Sequence, residues 1–371
     1  MAYRKRLLLP IGIHLNADAV YMTQLEQTES GVAVVSKATQ QFNVPPAVSE
    51  GRRNAAEPSS ESSSTPEDSR YDAAREFIRE KVTTDGFRGR DAVLSLPNEF
   101  LVIQHVRLAP VPPEELSGIL PGELQGKLPF DPRKAVLRYI VAGQVSENGE
   151  TKQDVIVLAV RRDVIEKFVA SATRLGLHVV GIGVEPCCMC YPYTFAASHT
   201  VVSPDGPPAQ MMVYLGPRTT HVGIVRGPEA QFVKGVELGT DHLVEALATA
   251  RNTTPHEIAA LRSKWCHTAS TEMIQEAVAA YNGLQWHLGH MVDEIESCIR
   301  YHTSLARGTR LNRILFLGPE ARDRALVRVL GAHLNVPCET GNPFAVVQGT
   351  AVSENEPEMA VAIGLSLFGS Q

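Results

Sequence analysis

Apolar and polar positions alternate over residues 7–42 in three runs, "LLLPIGIHL", "AVYMTQLEQ" and "GVAVVSKATQQF". Turn-prone residues part them, Asn16 with Asp18 and Ser30 with Gly31. Period-two alternation between such turns predicts a three-stranded meander. From Asn43 to Arg70 the text becomes "NVPPAVSEGRRNAAEPSSESSSTPEDSR", nearly free of large apolar residues. A stretch that can bury so little is expected to be a flexible insertion. Ala74, Phe77, Ile78 and Val82 then share one helical face, which predicts a helix over Tyr71 to Thr83, followed by the buried strand "AVLSLP".

Residues 98–180 read as a unit of their own. "FLVIQHVRL" is a strand, and "PPEELSGILPGELQGKLPF" is a helix with prolines and acids at its start, where free amides and the helix dipole favour them. Pro121 is expected to break or kink it. "AVLRYIVAGQV" and "KQDVIVLAV" are strands about an Asn148-Gly149 turn, and "RDVIEKFVASATRLG" is a helix ended by Gly176. The β-α-β-β-α order gives a small sheet with helices on one face.

At Met211 the strand–turn–strand rhythm of the opening returns in "MMVYLGPRTTHVGIVRGPEAQFVKGVEL". Laid over the opening, His14 falls on Tyr214, Leu15 on Leu215, Asn16 on Gly216 and Asp18 on Arg218. Residues 239–306 read as helical: "DHLVEALATARN", "HEIAALRSKW", and a long helix with Leu284, Leu288, Met291, Ile295 and Cys298 on one stripe. Strand "RILFLG", a helix over 320–332, strand "VPCET", a Gly-Asn-Pro loop at 341–343 and a helix from Met359 to Phe368 close the pattern. Two such modules predict an internally duplicated clamp.

The length of 371 residues suits two sizeable domains, and 44% hydrophobic with 20% charged residues is ordinary globular composition. A formal charge of −6 lacks the basic footprint of a nucleic-acid binder. No apolar run approaches the length that spans a bilayer. Basic "YRKR" near the start is read as a solvated end, with weak contact to anionic lipid as the alternative. The bunched Cys187, Cys188 and Cys190 lack a second set of ligands at zinc spacing, so they are expected to pack as small apolar groups after Pro186 in a reduced, cytoplasmic protein. His287, His290 and Glu294 share a helix face but without further ligands, and are read as a surface cluster. His256-Glu257 has Ala260 where a zincin needs its second histidine, and "GELQGKL" ends in Leu128 rather than the hydroxyl residue of a phosphate loop.

The blocks "VVGIGVEP", "RTTHVGIVRGPEAQFVKGVELGTDHLVEAL", "ILFLGP" and "GNPF…MAVAIGLSL" resemble, in order and spacing, the type IV pilus assembly protein PilM family. That family is actin-like and FtsA-related. The resemblance implies an α/β, actin-like (ribonuclease H-like, duplicated) two-lobe fold with an inserted β-α-β-β-α subdomain. The implied division is 1–97 with 346–371 as first lobe 1A, 98–180 as inserted subdomain 1C, 181–238 with 307–345 as 2A, and 239–306 as helical 2B.

It also implies a nucleotide cleft between the lobes, and a groove between 1A and 1C that takes the cytoplasmic N-terminal tail of a PilN-like inner-membrane protein. Segments 94–108 and 135–142 are the expected groove region. The family's first phosphate loop has aspartate, glycine and lysine where this chain has His14, Asn16 and Tyr21. In the second, Tyr214 takes the aspartate position, while Gly216, Thr219 and Thr220 fit. The adenosine loop keeps Gly318 but follows it with Pro319. The ribose-binding Glu and Lys positions hold Ala259 and Arg262.

The implied nucleotide contacts are thus vestigial: Asn16, Gly216, Thr219, Thr220, Arg262 and Gly318. Mg²⁺ favours carboxylate oxygens, directly or through water, and neither His14 nor Tyr214 supplies them. No catalytic residue, metal ligand or firm cofactor is expected, with Mg-ATP as the alternative. The implied role is a cytoplasmic adaptor without ATP hydrolysis, peripheral to the inner membrane through its partners, including other platform proteins. The alternatives are a nucleotide-switched ATPase of that machinery or of a type II secretion platform. No C-terminal amphipathic anchor is expected beyond Phe368, and oligomer formation is left open.

Overall fold

The computed structural model describes residues 7–16, 18–28, 31–42, 66–147, 149–199, 206–268, 270–305, 310–348 and 355–368. The basic run at 3–6, residues 43–65 of the expected flexible insertion, Ser30 and Asn148 of the two expected turns, and residues 369–371 lie outside them.

The meander is β1 (Leu7–Leu15), β2 (Ala19–Thr28) and β3 (Gly31–Gln41), followed by α1 (Pro66–Thr84) and β4 (Asp91–Leu96). The inserted unit holds β5 (Val102–Leu108), α2 (Pro113–Glu123), β6 (Ala135–Glu147), β7 (Glu150–Arg161) and α3 (Arg162–Arg174). Then come β8 (His178–Val184), α4 (Glu185–Cys188) and α5 (Tyr191–Ser198). The pattern restarts with β9 (Ala209–Leu215), β10 (Thr220–Arg226) and β11 (Glu229–Val236). Helices α6 (Asp241–Arg251), α7 (Pro255–His267), α8 (Thr271–Asn282) and α9 (Gln285–Leu305) follow. The chain continues through β12 (Leu311–Leu317), α10 (Arg324–His333), β13 (Cys338–Thr340), α11 (Pro343–Gln348) and α12 (Ala360–Phe368).

Two five-stranded sheets share one plan, β3-β2-β1-β4-β8 and β11-β10-β9-β12-β13, beside a three-stranded sheet β5-β7-β6. In each large sheet a meander is antiparallel and the last two strands run parallel to its first strand. This is the duplicated architecture that the repeat predicted. The registers match as well: His14 lies opposite Tyr21, and Tyr214 opposite His221.

A register shift between Leu8 and Ile11 of β1 lets residues of the same parity on the first hairpin face opposite sides. Ile11 and Ile13 face Phe77 and Ile78 of α1, while Leu9 and Tyr21 face α11 and α12 on the other side. A Cβ on Gly12 would stand 2.0 Å from the Ala362 carbonyl, so the missing side chain lets α12 lie directly on β1. Apolar nearly all round, α12 is buried from Ala360 to Leu367, as a helix of that composition must be. Around it Val93, Met189, Tyr193, Met212, Tyr214 and Leu365 join the two large sheets in one core.

Four expectations change. Helix α1 begins at Pro66, inside the stretch read as flexible, because a proline followed by acids is a start signal that the serine-rich composition masks. Helix α2 passes Pro121 and stops at Glu123, short of residue 130, since the missing amide falls in the last turn. The helical region holds a separate helix, α8, capped by Ser270, whose hydroxyl accepts from the Met273 amide. The expected boundary at 181 cuts β8, which pairs in parallel with β4 and completes the first sheet.

Candidate functional site

The two hairpin turns meet between the sheets. In the first, the Asn16 amide donates to the Ala19 carbonyl at 3.0 Å. The Asn16 Oδ1 in turn accepts from the amides of Asp18 (3.0 Å) and Ala19 (2.8 Å). An Asx turn of this kind suits asparagine. Its consequence is chemical: the turn amides that would cradle an anion are already satisfied by a side chain.

The second turn is tighter. Gly216 donates to the Thr219 carbonyl at 3.1 Å, and a Cβ on it would come 2.7 Å from that oxygen. Thr220 spends its hydroxyl on the Leu238 carbonyl at 2.7 Å. Gly318 has φ 88° and lies so close to Leu215 that a Cβ would be 2.4 Å from its carbonyl oxygen. Its conformation and its neighbour both require glycine.

Arg262 is buried and committed. Its guanidinium donates to Tyr281 Oη at 2.8 Å and to Glu320 Oε2 at 2.6 Å, with Asp323 Oδ2 at 3.7 Å. Tyr281 donates to Asp323, whose other oxygen caps α10 through the amides of Ala325 and Leu326. Of the six expected nucleotide contacts, Asn16, Gly216 and Thr219 line a cavity of 590 Å³, and Arg262 lines another of 490 Å³ with Ala259. Thr220 and Gly318 line neither.

Sequence reasoning missed the centre of the site. His14 and His221, on corresponding hairpins, both grip Glu185 of α4: His14 Nε2 is 2.9 Å from Oε2, and His221 Nδ1 is 2.5 Å from Oε1. Their side chains are only 1–4% exposed. Burial alone would raise the Glu185 carboxyl, but the His221 and His14 imidazoles outweigh it and hold it well below the carboxylate range. Tyr21 stacks on His14 at 5.7 Å and Tyr214 meets it edge-on at 6.0 Å. Burial raises both phenols, so they stay protonated. The repeat itself carried a signal: the overlay that puts His14 on Tyr214 also puts Tyr21 on His221, a reciprocal exchange.

These residues do not fit a magnesium nucleotide. An imidazole and a phenol hold the two expected carboxylate positions, and both imidazoles are engaged by Glu185. The 490 Å³ cavity is lined by Asp18, Asp241, Glu320, Glu356 and Glu358. Of its three guanidiniums, Arg262 is already paired with Glu320 and Arg322 with Glu358, and with Arg218 counted the five carboxylates are still in excess. A polyphosphate would meet net repulsion there.

A third cavity is apolar. Ile13, Leu15 and Leu94 of the first sheet form its floor, with Ile78 of α1 and Phe168 of α3 as walls, in a volume of 390 Å³. Phe100 at its rim is 39% exposed. Of the segments expected at a partner groove, 94–108 supplies Leu94, Ser95 and Phe100, but 135–142 supplies nothing; the helices α1 and α3 wall it instead.

Elsewhere, Cys188 and Cys190 are buried, with their sulfurs against Gly183 and Gly223. Burial pushes the Cys187 thiol up to about 12. Glu294 pairs with Lys234 at 2.7 Å, and the exposed Trp286 sits edge-on to His287 and His290. Among the described residues no helix is long and apolar enough to cross a membrane.

No curated protein matches the chain. Among solved structures, a PilM-PilN type IV pilus biogenesis complex is similar with a TM-score of 0.70 at 19% identity, over 98% of each chain. The ethanolamine utilization protein EutJ from Carboxydothermus hydrogenoformans is similar with a TM-score of 0.52 at 12% identity, over 97% of this chain and 89% of that one. At such identities the likeness carries the fold, which is actin-like. A family model described as type IV pilus assembly protein PilM matches residues 56–369, and the chain belongs to that family.

Proposed function

We propose that this chain is an actin-like adaptor of type IV pilus assembly that binds an extended tail of a PilN-like membrane protein and does not hydrolyse ATP. The observation that carries the reading is the apolar groove between the first sheet, α1 and α3. In the subdomain division this is the 1A–1C groove, with β8 assigned to 1A. Its floor is made by strands and its walls by helices, so a peptide finds side-chain pockets on rigid elements. The filled turns and the buried triad support the second half of the reading. Attachment to the inner membrane, from the cytoplasmic side, would then come through the partner.

The test is calorimetry on the full chain with two ligands, Mg-ATP and a synthetic peptide. The peptide copies the cytoplasmic tail of a single-span protein encoded beside this one. Peptide binding without nucleotide is expected, and Phe168→Asp should weaken it by about tenfold or more, since a charge would stand in the apolar wall. Micromolar Mg-ATP binding, with peptide bound only in its presence, would favour a nucleotide-switched ATPase instead.

A further inference from the structure

The His14–Glu185–His221 set joins three elements far apart in the chain: β1 of the first sheet, α4, and β10 of the second. A carboxylate this deeply buried must be paired to be tolerated. Here each oxygen is taken by an imidazole from a different sheet. Nδ1 of His14 has no hydrogen-bond partner among the described residues, and the ring is held to Glu185 through Nε2.

The set also touches the groove from behind. His14 lies between Ile13 and Leu15, which form the groove floor. Leu15 donates its amide to Ser95 Oγ at 3.2 Å, and Ser95 lines the same groove. Leu96 pairs with Val184, the residue before Glu185. Both floor strands, β1 and β4, are therefore anchored at the triad.

We infer that His14, Glu185 and His221 form a built-in clasp that holds the two hairpins closed without any ligand and thereby fixes the floor of the partner groove. The second half of this inference rests on the peptide-binding reading above. The clasp bridges the lobes with the chain's own side chains, at the edge of the 590 Å³ cavity that Glu185 and His221 line. Its three members are positioning residues; none of them lines the groove.

Hydrogen exchange on the intact chain tests it, with peptide affinity measured on the same samples. Glu185→Gln removes the charge and keeps the shape. His14→Ala removes one arm, whereas His14→Gln keeps a donor near the Nε2 position. Amides over 12–20 and 214–222 should exchange about tenfold faster in Glu185→Gln and His14→Ala, while β6 and β7 keep their wild-type rates. His14→Gln should restore protection, and Mg-ATP should not slow exchange in any of them. Peptide affinity should fall about tenfold in the two open variants.

Unchanged hairpin exchange in both variants, or a uniform rise through the whole chain, would overturn the clasp. If Glu185→Gln does not fold, the His14→Ala and His14→Gln pair decides alone. Open hairpins with unaltered peptide affinity would overturn the link to the groove. If the wild-type chain binds no peptide, the adaptor reading fails, and the exchange data still decide the clasp.

Discussion

Asp241 opens α6 beside the second turn, its amide bonded to the Pro217 carbonyl at 2.8 Å. Burial, then the charges of Asp18 and Glu320, push its carboxyl from 3.8 up to about 6. Between those values the native state holds a proton that the unfolded chain has lost, so stability falls as pH rises through that window and stays lower above it. Asp241→Asn is therefore expected to stabilise the protein at pH 7 by about 1–2 kcal/mol, after discounting for partial exposure, and to change nothing near pH 4. Urea unfolding at the two pH values measures this; equal stabilisation at both would show that the carboxyl titrates normally. Arg262 illustrates a limit of reading residues singly. Its type survives at a ribose-binding position, but its partners Tyr281, Glu320 and Asp323 lie 19–61 residues away in sequence and use the guanidinium for packing.

Backbone-to-backbone contact explains much of the element scale. The clearest case is α12 on β1, where Gly12 leaves room for Ala362 and Ser366. Both near atoms are backbone, so neither can swing aside. Gly12→Ala is expected to lower stability by about 3 kcal/mol, the upper end of the overpacking range. Gly289 in α9 meets nothing within 4 Å, and Gly289→Ala should instead gain up to about 1 kcal/mol. Parallel denaturation of the two variants separates steric need from mere flexibility, and equal effects would refute the contact. The hairpins β1–β2 and β9–β10 were legible because apolar strand runs are parted by turn residues at the same spacing, with seven positions between His14 and Tyr21 and between Tyr214 and His221. Strand β8 was not. Its Gly181 and Gly183 break the hydrophobic pattern, yet they are there because a Cβ would meet Phe368 at 3.2 Å and Cys188 Sγ at 2.4 Å. Glu185 was hidden for a similar reason: it starts a four-residue helix, and the histidines that explain it lie 171 and 36 residues away.

Across the whole molecule, closure is reinforced from two sides. The core around α12 joins the large sheets, and Ile156 and Leu158 of the inserted sheet enter the core of the second lobe. There Tyr301 donates to Asp154 Oδ2 at 2.6 Å, tying α9 to β7. On the clasp reading the bridge between the hairpins is made by the chain's own groups, beside the 590 Å³ cavity that Glu185 and His221 line with both turns. Restoring the two carboxylates is the sharpest trial of that view. His14→Asp sets a second carboxylate where an imidazole now faces Glu185, and two buried carboxylates at one site cannot both stay ionised. Tyr214→Asp adds a third acidic group beside them. The double variant is expected to lose about 3–5 kcal/mol of stability, as a broken buried pair does. It should bind no Mg-ATP in calorimetry, because Asn16 still occupies the amides of Asp18 and Ala19. Micromolar binding by that variant would mean that the turn opens readily once charge returns, and that two residues alone separate this chain from a working nucleotide cleft. Loss of stability without binding would place the difference in the turn backbone and in Glu185, which both histidines hold.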